Sequence, residues 1–215
     1  MKRVPWLTVT TASLTLLLAG ASLGGFAQYD RGAILRGEVW RLVTGHFSHW
    51  SVSQLGYDLF AFVVLGAICE QRDRVRSAMA VVTTAFAVSL FLLALCPDVA
   101  LYRGLSAIDS ALWMLAVFDL GEHRPRLAVV LASLFLAKVL IEWQRGALFV
   151  DGMTALPLVH LAGAAAGSIM AAWRLPLTRS RTSSPRQRYA SSAHESMPSP
   201  ATSSSIGSSA PPALT

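Results

Sequence analysis

Ser106 and His160 are the two residues of this chain whose chemistry is that of a nucleophile and its base. A serine hydroxyl becomes reactive when an imidazole takes its proton. Ser106 follows Gly104-Leu105 at the head of an apolar run that ends near Gly121. His160 lies six residues into the last apolar run, which starts near Thr154. At a helical rise of 1.5 Å per residue, Ser106 falls about 8 Å and His160 about 9 Å below the same edge of a ~30 Å apolar layer. Gly104 permits a turn that sets Ser106 at a helix N-terminus. Free backbone N–H groups and the positive end of the helix dipole can stabilise an oxyanion there. Each residue alone has a plainer reading, the serine as an N-cap and the histidine as a hydrogen-bond partner for a neighbouring helix. Their setting raises the sharper one. His160, Gly163 and Gly167 form one face at i, i+3 and i+7, which lets a second helix approach closely and meet an imidazole.

The elements that must position these residues follow from composition. Of 215 residues, 53% are hydrophobic and only 14% charged, with a mean hydropathy of +0.51. Soluble domains average about 25% charged residues. A soluble monomer of this size could not hide so much apolar surface. Two cysteines are too few for a disulfide scaffold, and Cys69 and Cys96 fall at opposite membrane ends of their spans. The composition is that of an all-α polytopic membrane protein.

Apolar stretches near 6–27, 51–69, 77–96, 106–120, 127–143 and 154–173 predict six spans. The fourth and fifth are short of the ~20 residues that cross a bilayer core. The loop Pro97–Leu105 must then dip inward, which irregular backbone tolerates only against protein or a water-filled cavity. Met1-Lys2-Arg3 before the first run resembles a secretory signal, but the run continues to Phe26 and reads as a retained anchor. Twelve basic residues fall in one set of loops and the tail, against five in the alternate loops. This bias puts both termini in the cytoplasm. The net charge of +6 sits in those short clusters, with no nucleic-acid-binding signature. From Leu175 onward Ser, Pro and Ala replace the bulky apolar residues, so 175–215 reads as a disordered cytoplasmic tail on a 1–174 membrane domain. There is no metal-ligand spacing, phosphate loop or cofactor fingerprint.

The chain resembles the rhomboid family of intramembrane serine proteases. The matching pieces are Gly37-Glu-Val-Trp40-Arg41, Gly104-Leu-Ser106 and His160-Leu-Ala-Gly163-Ala-Ala-Ala-Gly167. Compactness and the stretch Tyr102-Arg-Gly-Leu-Ser-Ala-Ile-Asp-Ser look most like the rhombosortase branch, which is associated with trimming Gly-Gly-type C-terminal sorting tails of exported proteins. The resemblance implies a six-helix rhomboid-like bundle in a bacterial-type plasma membrane, with Ser106 as nucleophile and His160 as base in a two-member dyad. It implies that transmembrane segments of exported or membrane-anchored proteins enter sideways between spans two and five. Trp40-Arg41 would anchor the first outer loop.

Where rhomboids usually carry a His and an Asn in span two, this chain has Gln54 and Asp58. With Gly104 these are the oxyanion or substrate candidates. Gln54 can donate from its amide, whereas a charged Asp58 would repel an oxyanion. Ala107 replaces the Gly common after the nucleophile. A second function class therefore stands beside the protease: a silent relative that binds and escorts transmembrane helices. Asp58, Asp109 and Lys138 all fall near the bilayer midplane, where an unpaired charge is costly. Their shared level suggests that Lys138 clamps one or both aspartates below the site. The competing expectation has Lys138 reaching outward to Glu142.

Overall fold

The computed structural model describes residues 4–145 and 157–173, and the predicted tail lies outside the described residues. The fold is mostly helical. In chain order it runs α1 (Trp6–Gly20), α2 (Gly24–Ala27), β1 (Tyr29–Asp30), α3 (Arg31–Leu35) and α4 (Arg41–Thr44). A 3-10 turn (Gly45–Phe47) then leads to α5 (Val52–Arg72), α6 (Arg74–Leu95) and β2 (Leu101–Tyr102). The series ends with α7 (Ser106–Gly121), α8 (Pro125–Arg145) and α9 (Pro157–Ala172).

Six apolar helices stand where the six runs were read, with changed ends. The first run does not continue to residue 27. Ser22 takes a left-handed φ of 54°, the Leu23 N–H returns to the Leu18 carbonyl and the Ser22 N–H to that of Ala19. This is the closure that commonly ends a helix. Gly24 and Gly25 then favour a separate turn over continuation. The fifth run, expected to be short, becomes a 21-residue helix that begins on Pro125. Proline suits a first helical position because its missing N–H has no intrahelical partner to lose. α5, α6 and α8 are long and apolar enough to cross a membrane, while α1, α7 and α9 have 15, 16 and 16 residues.

Local caps set the frame. Ser51 accepts from the Gln54 N–H at the start of α5, and Asp73 alone separates α5 from α6. Asp73 ends one helix in extended backbone and caps the next through the Arg76 N–H. The short β1–β2 ladder was not foreseen. It pairs Tyr29 with Tyr102 and Asp30 with Leu101, tying the first loop to the approach of α7.

α7 is the central helix and packs on α5, α6, α8 and α9. Leu105, Ile108, Leu112 and Leu115 are buried with Phe62, Ala80, Ala85 and Met170 in the larger core cluster. The outer surface is apolar: Phe60, Leu95, Val129, Ile169 and Trp173 are each more than three-fifths exposed. Polar groups instead sit inside. Glu70 accepts from the Leu7 and Thr8 N–H groups at the start of α1. Arg76 joins Asp119 of α7 to the Ala171 carbonyl of α9. An apolar outside with polar groups turned inward is the arrangement a bilayer solvates.

Candidate active site

The backbone entering α7 is held from several sides. Gly104 has φ +134°, and a Cβ there would lie 2.7 Å from Gln54 Nε2 and 3.1 Å from Asp58 Oδ2. The turn therefore requires glycine twice, for conformation and for space. Gln54 Nε2 donates to the Arg103 carbonyl at 3.1 Å, and its Oε1 accepts from the Trp50 N–H at 2.9 Å. Asp58 Oδ2 accepts from the Leu105 N–H at 3.1 Å and lies 3.3 Å from His49 Nε2. Tyr102 donates its hydroxyl to the Gly104 carbonyl, while the Arg103 guanidinium lies over the Trp50 ring. The polar pair of α5 thus shapes the turn. Asp58 does so as an acceptor, the role open to a carboxylate.

Behind this turn lies His46, fully buried, with its ring edge against Tyr102 at 5.3 Å. Nε2–H donates toward the Ala85 carbonyl at 3.0 Å and Ser89 Oγ at 3.1 Å. Burial pushes its pKa down to about 4, so the imidazole is neutral near pH 7. Composition gave no signal for this buttress.

Ser106 opens α7, and from Gly104 to Leu112 it is the one residue that is not buried. Its N–H and those of Ala107 and Ile108 belong to the first turn, where no intrahelical acceptor is in reach. Helices α7 and α9 run parallel and touch through backbone. A Cβ on Gly163 would collide with the Ala107 carbonyl, and one on Gly167 with that of Ala111. These pairings carry the register one turn upward. They set His160, three residues before Gly163, level with the turn that delivers Ser106.

His160 is itself buried, and α8 supplies its partners. Nδ1 lies 2.9 Å from Glu142 Oε2 and 3.2 Å from Lys138 Nζ, while Lys138 Nζ is 2.9 Å from the same Glu142 oxygen. Of the two expectations for Lys138, the structure has the reach to Glu142, and the clamp to Asp58 or Asp109 does not form. Lys138 and Glu142 stand four apart on one helix, where their side chains are neighbours, and the pairing needs no bridge between helices. Asp58 instead accepts from the Leu105 N–H, with His49 beside it. Asp109 is buried, and its Oδ1 has no hydrogen-bond partner. Glu142 entered the sequence reading only as a place for Lys138 to go. Its i, i+4 spacing from a lysine inside an apolar run was the available signal.

Trp40 and Arg41 lie away from this cluster. The buried Arg41 donates to Glu38 and to the Gly25 and Gln28 carbonyls, while Trp40 stacks on Phe26 at 5.7 Å. They pin the first loop against α2.

No curated protein matches the chain significantly. Residues 36–177, well over half of the chain, match the rhomboid domain. That stretch runs from just before Trp40-Arg41, through Ser106, to the end of α9. The chain belongs to the rhomboid family, whose members are generally serine proteases acting within the membrane.

Proposed function

We propose that this protein is an intramembrane serine endopeptidase that cleaves transmembrane segments by a Ser106–His160 dyad. The observation that carries the reading is the α7–α9 register, with an imidazole at the level of a partly exposed serine on a helix N-terminus. His160 takes the hydroxyl proton as Ser106 Oγ attacks the scissile carbonyl. The N–H groups of the first turn of α7 receive the oxyanion, with the second amide hydrogen of Gln54 within the same cluster. Gly163 and Gly167 serve as packing residues that hold the dyad's two helices together. Gly104 frees the turn, Asp58 shapes it, and Trp40-Arg41 anchors the first loop.

The finer reading is a rhombosortase of a bacterial-type plasma membrane with both termini cytoplasmic. In it, the outer face is the side of cleavage and the substrates are exported proteins with Gly-Gly-type C-terminal tails. The silent, helix-escorting alternative is favoured by one observation: Gln54 and Asp58 already have partners in the loop.

Cleavage of a fluorescent transmembrane test substrate in bicelles separates the two. Ser106→Ala and His160→Ala should each abolish it while melting like the parent. The double variant should be no worse than either single, because members of one catalytic unit are non-additive. Cleavage persisting in Ser106→Ala would remove the serine from the reaction.

A further inference from the structure

We propose that Glu142 is a positioning residue for His160, making the catalytic group a Ser106–His160–Glu142 triad with Lys138 as the carboxylate's countercharge. The inference rests on the protease reading above and concerns how its base is prepared. His160 Nδ1 has two neighbours, Glu142 Oε2 at 2.9 Å and Lys138 Nζ at 3.2 Å, and they demand opposite things of it. An ammonium can only donate, so bonding to Lys138 would require a bare Nδ1 and put the hydrogen on Nε2. An ionised carboxylate can only accept, so bonding to Glu142 requires Nδ1–H and leaves Nε2 with its lone pair. The geometry resolves the conflict. Lys138 Nζ lies 2.9 Å from Glu142 Oε2, so lysine and histidine can both donate to that one oxygen. Glu142 is 5% exposed, which gives the contact a dry setting, whereas the Lys138 side chain is 32% exposed and keeps a route outward.

The consequence is a fixed tautomer. With Nδ1–H held by Glu142, Nε2 takes the Ser106 proton as Oγ bonds to the scissile carbonyl carbon and the C=O π pair moves onto oxygen. The imidazolium then donates from Nδ1 to a carboxylate that does not itself take the proton. When the oxygen pair returns, the C–N bond breaks, and Nε2–H passes its proton to the leaving nitrogen, giving an acyl-serine and an amine. Water repeats the sequence. Its proton goes to Nε2, its oxygen to the acyl carbon, and Ser106 Oγ leaves with the proton from Nε2. Glu142 orients and stabilises throughout and never touches substrate.

Glu142→Gln tests this in the full chain, because the amide keeps the size and reverses the hydrogen bond. Gln can donate to Nδ1, which forces hydrogen onto Nε2. The same exchange at the orienting carboxylate of a serine protease costs about 10⁴ in turnover. Expected here is a fall in kcat of about 10³–10⁴-fold with KM within about threefold, while Glu142→Asp keeps activity within about tenfold. ¹⁵N shifts of labelled histidine, with His160 assigned by His160→Asn, need no substrate. The parent should show the Nδ1–H tautomer and Glu142→Gln the Nε2–H tautomer. A parent already in the Nε2–H form overturns the proposal even if Glu142→Gln does not fold. So does a folded Glu142→Gln enzyme with parental kcat. The protease reading fails separately, through cleavage by Ser106→Ala.

Discussion

Helices α7 and α9 are packed differently from α5 and α8. Eight of the sixteen residues of α7 and seven of the sixteen of α9 are buried, and where they meet the contact is glycine against backbone carbonyl. Only 17% of the apolar stretch is buried in α5 and in α8, against 39% in α6. A buried backbone contact has no side-chain rotamers to relax, so the first pair fixes distance and register to within a methyl group. The second pair shows most of its apolar surface to the outside and is held by fewer packed groups. Ser106 and His160 ride on the stiff pair. Gln54, Asp58, Lys138 and Glu142 reach in from the looser one, each through a polar contact. The proposed dyad thus sits on rigid elements, as catalytic geometry requires, and the proposed entry face sits on those that can shift. The two pairs should therefore respond oppositely to substitution.

The stiff pair should break first and worst. Gly163→Leu drives a branched side chain into the Ala107 backbone, which cannot move without displacing all of α7. Overpacking of this kind should cost about 3 kcal/mol or more, with the melting temperature in detergent falling together with all cleavage. Gly163→Leu melting like the parent would show that the α7–α9 contact is slack.

Next in size is the buttress behind the α7 turn. His46 is neutral in the fold with a pKa near 4, against about 6.5 in the unfolded chain. Between those values the unfolded chain binds the extra proton, so stability is full above pH 6.5 and falls as pH drops toward 4. The shift corresponds to about 3 kcal/mol. His46→Gln keeps a donor near the Ala85 carbonyl and cannot titrate. Its melting temperature should change much less over that range. Parallel acid profiles for parent and variant would assign the loss to other groups.

How much of this was legible in the sequence depended on whether a residue's effect is local. Apolar runs mark helices because a run needs only its own residues, and the i, i+3, i+7 face of His160, Gly163 and Gly167 was readable for the same reason. The Gly104 turn was readable too, since glycine before a helix start has few other uses. Helix ends were less so. The stop at Gly20 depends on Ser22 adopting a left-handed backbone, which serine rarely does, so nothing in its identity announces it. Partner choice was least legible. Depth along the chain put Lys138 level with Asp58 and Asp109 and so left the clamp standing beside the reach to Glu142, because depth says nothing about the direction in which a side chain leaves its helix. Glu142, one turn away on the same face, was the nearer acceptor. His46 and the β1–β2 ladder arise from loops folding back on the bundle, where no periodicity operates.

Between the stiff pair and the open face lies Gly104. Alanine there must hold φ near +134° and move the Gln54 amide from 2.7 Å. The backbone strain alone should cost about 1–3 kcal/mol. Because the displaced turn carries Ser106, turnover should fall by more than stability does, with KM near the parent's. An equal fall in both for Gly104→Ala would make the turn structural and nothing more.

The smallest effect on stability is expected on α5, at Phe60. This ring is 74% exposed and, with Ser53, Gly56 and Tyr57, lines an open notch on the outward face of the helix. Exposed side chains outside caps and networks change stability by about 0.5 kcal/mol or less on substitution. Phe60→Ala should therefore melt like the parent. Its value lies in separating stability from access. In the proposed reading, a transmembrane segment reaches Ser106 by passing α5, so this face is the first surface that it meets. Removing the ring should then alter KM for a transmembrane substrate by a few-fold, while labelling of Ser106 by a small fluorophosphonate, which needs no lateral entry, proceeds at the parental rate. Gly163→Leu should lose both activities together, and Phe60→Ala should move only the first. A Phe60→Ala variant that alters the two rates equally would mean that α5 acts on the catalytic geometry itself, and the division between a stiff catalytic pair and a loose entry face would not hold.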